Sequence, residues 1–205
     1  MNLRERFTKG CLQFADNHQL IEDLWAELEK KYTEKGRHYH NLAHLESMFA
    51  ELDTVKDKIA DFSTVSFSVF YHDAVYDATS KKNEEKSAEM AVLRLDKLGL
   101  SPNVLQKVSD QILSTKAHHE SVDRDTDYLL DADLSVLGKS FETYMEYTKK
   151  IRKEYSIYPD FMYKPGRKKV LQHFLELKSI FKTNEFRDRY EVTARENIRG
   201  EIESL

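Results

Sequence analysis

Apolar side chains return every three to four positions along most of this 205-residue chain, the repeat that lines one face of an α-helix. Leu20, Leu24, Leu28 and Tyr32, with Trp25 beside them, mark one stripe. Leu42, Leu45, Met48, Phe49 and Leu52 mark a second, after the polar stretch EKGRHYH. KKNEEKSAEMAVLRLDKLGL reads as a helix ending near Gly99, and Ser101-Pro102 supplies a cap and a first-turn proline opening another towards Thr115. Further helices are predicted from Asp127 to Leu137, stopped by Gly138, and from about Ser140 to Tyr155. Beyond Pro165-Gly166, Val170, Leu171, Phe174, Leu175 and Leu177 form another stripe, and a last helix runs from near Thr183 to the end.

One stretch carries a competing pattern. In FSTVSFSVF, Val65, Phe67 and Val69 alternate with serines, a period-two signal with β-branched and aromatic support. The same stretch also allows Val65, Val69 and His72 on one helical face, and a lone strand among helices would have nothing to pair with. FSTVSFSVFYHDAVY is therefore predicted to be a central buried helix. No repeat, low-complexity tract or Gly/Ser-rich linker divides the chain, so the expectation is an all-α, single-domain helical bundle.

Composition agrees with that reading. Only 6 Gly and 3 Pro beside 33% charged residues favour a charge-rich helical protein over a turn-rich β one. A net charge of -4 provides no overall basic field for duplex nucleic acid or an anionic membrane, although it leaves room for local basic patches. The single cysteine, Cys11, excludes an internal disulfide and fits a reducing compartment. MNLRERFTKG lacks the apolar core of a secretory signal, and no apolar run approaches the roughly 18 residues of a membrane span. A cytoplasmic protein is expected.

The candidate chemistry lies in four segments rich in histidine or aspartate: RHYHNLAH, YHDAVYD, TKAHHE and LLDADLSVLG. His72-Asp73 sits inside an apolar and aromatic run, where a carboxylate is costly to bury without a partner. His40 and His44 stand one turn apart at the predicted start of a helix. Asp133 shares a helical face with Leu130 and Leu137, and Asp131 lies to one side of it. Imidazoles with carboxylates and no thiolates suit a divalent ion such as Mn, Fe, Co, Ni or Zn. Coordination would compensate a buried carboxylate and a desolvated imidazole together.

The order His, His-Asp, Asp on apolar helices resembles the HD superfamily of metal-dependent phosphohydrolases, whose signature is H…HD…D on a bundle of helices. RHYHNLAHL, HDAVYD with NEEKSA, DADLSVLG and AREN are similar to a bacterial subfamily described as predicted HD phosphohydrolases, over about Arg37 to the end. The resemblance implies a divalent metal, Mg included, held by His40, His72, Asp73 and Asp133, with Asp131 as the rival to Asp133. His44 then stands where the family has an apolar side chain, as a second ligand or a substrate contact. Family members often carry a glutamate or lysine three residues after the motif aspartate; here that residue is Tyr76, which leaves Asp77 or Glu84 to assist Asp73.

His118 and His119 resemble the extra histidines with which some members build a second metal site. Charge on a phosphate would need cations, for which Arg37, Arg152, Arg167 and Arg195 are the candidates, alongside His44 and His118 as substrate contacts. The function implied is hydrolysis of a small phosphate ester, nucleotides included. The alternative is a non-catalytic domain that binds a nucleotide, which the residue at Tyr76 favours.

Overall fold

The computed structural model describes residues 1–205 as ten α-helices with no strand. In order these are α1 (Leu3–Cys11), α2 (His18–Tyr32), α3 (Leu42–Asp53), α4 (Phe62–Tyr71), α5 (Asn83–Leu95), α6 (Pro102–Ser114), α7 (Arg124–Leu134), α8 (Phe141–Glu154), α9 (Asp160–Glu176) and α10 (Asn184–Ser204). One continuous core joins residues from all of them except α8's and α9's outer faces, and α4 runs through its middle, packed by α1, α3, α5, α6 and α7.

The strand-like alternation in α4 is resolved by its serines. Ser66 donates to the Phe62 carbonyl at 2.6 Å, and Ser68 to the Thr64 carbonyl at 3.2 Å and to Gln111 Oε1 at 2.6 Å. The hydroxyls of Ser66 and Ser68 are thus satisfied by the preceding turn, whereas those of Ser63 and Tyr71 are buried on the same helix without a partner. Asp61 caps the start through the Thr64 amide at 3.0 Å. The helix stops at Tyr71, earlier than the expected Tyr76. Arg37 takes the carbonyls of Asp73 at 2.7 Å and Ala74 at 3.0 Å, so the chain turns there while its backbone acceptors stay bonded.

Three other boundaries differ from expectation. The N-terminal segment, for which the apolar pattern predicts no helix, forms α1 through a capping box between Asn2 and Glu5 and buries Leu3, Phe7 and Cys11. Phe7 sits edge-on to Phe70 with ring centres 5.1 Å apart. Helix α7 spans Arg124–Leu134 and passes into a tight 3₁₀ turn, Ser135–Gly138. Gly138 is needed there for closeness to α10, because a Cβ would lie 2.8 Å from the Tyr190 carbonyl oxygen. Helix α9 begins before Pro165-Gly166, not after it. Pro165 and Phe161 are both exposed, so the hydrogen bond that proline removes faces solvent, where the carbonyl can be hydrated. No helix is long and apolar enough to cross a membrane.

Candidate metal centre

Four stretches meet at one end of the core. The loop before α3 carries His40, and α3's first turn, capped by Asn41, carries His44. His72 and Asp73 occupy the turn that ends α4, and Asp133 lies in the last turn of α7. The loop between α6 and α7 adds His118, held at φ 50, in the left-handed region that side chains other than glycine seldom adopt.

Their ring nitrogens and carboxylates face one point. His44 Nε2 is 3.3 Å from His72 Nε2 and 3.1 Å from Asp133 Oδ1, and His72 Nε2 is 3.2 Å from Asp73 Oδ2. His44, His72 and Asp133 each offer an atom within 4.8 Å of the other two. Ligand atoms about 2.0–2.2 Å from a shared ion stand roughly 3.0–3.5 Å apart, a range that holds the three contacts above, while His72 Nε2 and Asp133 Oδ1 stand slightly wider at 3.8 Å. His40 Nε2 stands 3.9 Å from Asp73 Oδ2, at the edge of this group. Of His40 and His44, His44 accordingly belongs to the central group with His72, and His40 flanks it.

Outer partners fix which nitrogen points inward. His72 Nδ1 lies 2.9 Å from the Val69 carbonyl, which can only accept, so that nitrogen carries a proton. His40 Nδ1 lies 2.6 Å from Glu154 Oε2 in the same relation. Glu154, at the end of α8, also accepts from the amides of His38, Tyr39 and His40 at 2.8, 2.7 and 2.9 Å, and from the Tyr76 hydroxyl at 3.0 Å. Tyr76 stacks on His40 with ring centres 4.3 Å apart. Burial pushes the Glu154 carboxyl up, and these donors reverse it and hold it at about 2.

The electrostatics are those of crowded opposite charges. Burial pushes the Asp73 carboxyl up, but the imidazoles of His72 and His40 outweigh it and hold it well below the usual carboxylate range. Asp133 is likewise held low against burial by His118, 2.9 Å away, and His44. His44 itself is pushed down by burial and by its histidine neighbours, against the pull of Asp133. The half-buried pair of carboxylates, faced by imidazole nitrogens and no thiolate, is a donor set that a divalent transition metal fits once those imidazoles are deprotonated.

The group borders, through Asp133, a cleft of about 570 Å³, within the range of small-molecule sites. His40, His118 and Asp133 line the cleft beside Tyr39, Tyr147 and Tyr163. Glu84 and Lys116 line it too, 3.9 Å apart.

The other candidates are placed elsewhere or already engaged. Asp131 is turned away, accepting from the Lys182 and Thr183 amides at 2.7 Å each and from the Thr183 hydroxyl at 2.7 Å, which anchors the start of α10. Asp77 sits in an exposed turn and accepts from Thr79, outside the cluster and the cleft. Arg37 is a buried strut tying the His40 loop to the Asp73 turn. Arg152 is held by Asp160 and the Tyr155 and Tyr158 carbonyls, and Arg195 by Glu191 and the carbonyls of Leu175 and Leu177. Arg167 lines the cleft, but its guanidinium is paired with Glu201 at 2.8 Å and with the Tyr147 hydroxyl at 3.2 Å. His119 lines a separate polar cavity that His118 borders. Glu154, which sequence reasoning did not single out, is the residue most engaged with the site; within KKIRKEY nothing distinguishes it from a surface charge.

Comparison of the chain with models of protein families, with curated proteins and with solved structures gave no match.

Proposed function

We propose that this chain is a metal-dependent phosphohydrolase of the HD type, acting on a small phosphate ester such as a nucleotide. The observation that carries the reading is the convergence of His44, His72 and Asp133, with Asp73 and His40 beside them, where Asp133 and His40 line a cleft of ligand size. These residues would hold a divalent cation, Mn, Fe, Co, Ni, Zn or Mg. When bound, such an ion polarises a phosphoryl oxygen and lowers the pKa of water, which supplies a nucleophile near neutral pH.

The protein's own part is positioning and charge. Arg37 and Glu154 lock the His40 loop, so that loop and the Asp73 turn hold a fixed spacing. Lys116 is the cleft cation nearest Glu84 and is itself shared with Glu85, while Arg167 also lines the cleft but is neutralised by Glu201. The tyrosines give the non-phosphate part of the ester aromatic faces to rest on.

The nucleotide-binding alternative draws on Tyr76. It stands where an assisting acid would be expected, and it is committed to His40 and Glu154. Asp73→Ala separates the two readings. A hydrolase loses cation-dependent phosphatase and phosphodiesterase turnover in a screen with added Mn, Co, Ni and Mg, while its helical circular dichroism persists. Wild-type protein that binds nucleotide and turns nothing over, with Asp73→Ala binding equally well, would leave the binding module.

A further inference from the structure

Charge is spread very unevenly over this chain. From Lys149 to Lys169 there are eight lysines and arginines and two acids, a net +6 within a chain of net -4, so the rest carries -10. One of the two acids, Glu154, is buried, so the surface of this segment is more basic still. Its ion pairs engage only Lys149, Arg152 and Arg167. Lys150, Lys153, Lys164, Lys168 and Lys169 are all exposed and have no acidic partner.

The same segment is where apolar side chains leave the core. Ile157 is 68% exposed, Phe161 77%, Met162 52% and Val170 48%. Other exposed apolar residues, such as Leu93, Phe141 and Val192, stand singly along the chain, as is ordinary for a soluble surface. Here four fall within fourteen residues. The end of α8 and the start of α9 are joined through Arg152, which pairs with Asp160 at 2.7 Å and lies over the Tyr163 ring at 4.6 Å. On α9, Phe161, Lys164 and Lys168 share one face by helical spacing.

Unpartnered lysines around protruding apolar tips call for an occupant that offers anions and a place for hydrocarbon together. Small anions in water would satisfy the lysines and leave Ile157, Phe161 and Met162 exposed. A single-stranded nucleic acid could stack a base on Phe161 but would leave Ile157 and Met162 exposed, since isoleucine and methionine offer no ring. We infer that the end of the molecule formed by the last turn of α8, residues 155–159 and the outer face of α9 docks on an anionic lipid surface. The apolar tips enter the headgroup boundary and the lysines meet lipid phosphates. Met162 and Val170 also line the cleft, so the docked face includes part of its rim. The inference does not depend on the cation centre.

The test is co-sedimentation of the full chain with phosphatidylcholine vesicles with and without phosphatidylglycerol. Binding is expected only with phosphatidylglycerol, and is expected to fall as salt rises. Lys164→Glu with Lys168→Glu should weaken it by about tenfold or more, at roughly 1 kcal/mol per basic residue near the surface. Ile157→Ser with Phe161→Ser should weaken it as well. All four sites are exposed, and unchanged circular dichroism checks that the variants fold. Lys150→Glu with Lys153→Glu repeats the charge test on the other helix. No sedimentation with phosphatidylglycerol vesicles at low salt would overturn the inference. So would binding that the lysine reversals remove and the serine variants leave intact, because that surface would be a field for soluble anions or nucleic acid.

Discussion

A single carboxylate at the end of α8 receives five donors: three consecutive amides, the His40 ring and the Tyr76 hydroxyl. Such an arrangement aims a side chain, since a histidine that gives Nδ1–H to a carboxylate keeps its other nitrogen as a lone pair in a fixed direction. Glu154→Gln preserves size but brings an amide NH₂ that must face either the three backbone donors or the pair of ring and hydroxyl. One side of the network is then set donor against donor. The expected result is cation affinity lower by about 10–100-fold, read by titration calorimetry, with helix content kept. An unchanged affinity would leave Glu154 as an anchor for the loop and remove its part in the site. Arg167 tests the opposite kind of residue. Arg167→Ala leaves Glu201 buried without its cation, for which the expected cost is about 3–5 kcal/mol in denaturant unfolding. Arg167→Met with Glu201→Leu should recover most of that loss, and failure to recover would point to a contribution from Arg167 beyond the pair.

Two aspartates two positions apart on α7 do different work, and the difference lies in what each meets across the fold. Asp131→Ala strands the amides of Lys182 and Thr183 at the start of α10. It should lower the stability of the cation-free protein by about 3 kcal/mol while leaving any cation-induced shift in melting temperature intact. Asp133→Ala should abolish that shift. The reverse pattern would restore Asp131 as the ligand. This is also where legibility in the sequence stops. The helices could be read because each keeps an apolar stripe, and His72, Asp73 and Asp133 could be read because they interrupt such stripes. The choice within DAD could not, because it depends on a loop fifty residues later folding back on Asp131. Nor could the turn that follows α4, where Arg37 reaches the Asp73 and Ala74 carbonyls from another loop. Helix α1 was hidden because its three buried residues, four apart, sit among charges that outnumber them.

Over the whole molecule, the cluster ties together parts of the chain that are far apart in sequence: the loop and first turn around α3, the end of α4 and the end of α7. An ion held there binds the folded chain and has no comparable site on the unfolded one, so it must stabilise the fold by mass action. At about 100 times its dissociation constant the gain is about 2.7 kcal/mol. For a chain of this size, at roughly 2–4 °C per kcal/mol, that is a rise in melting temperature of about 5–10 °C. The rise should appear with at least one of Mn, Fe, Co, Ni, Zn or Mg, be reversed by a chelator, and be lost in His44→Ala and Asp133→Ala. His40→Ala should reduce it without removing it, because His40 stands at the edge of the group and His44 at its centre. A melting temperature indifferent to every one of these ions would mean that the carboxylates are neutralised by the histidines around them, and the cluster would then be a buried network of protonated imidazoles and aspartates with no place for a metal.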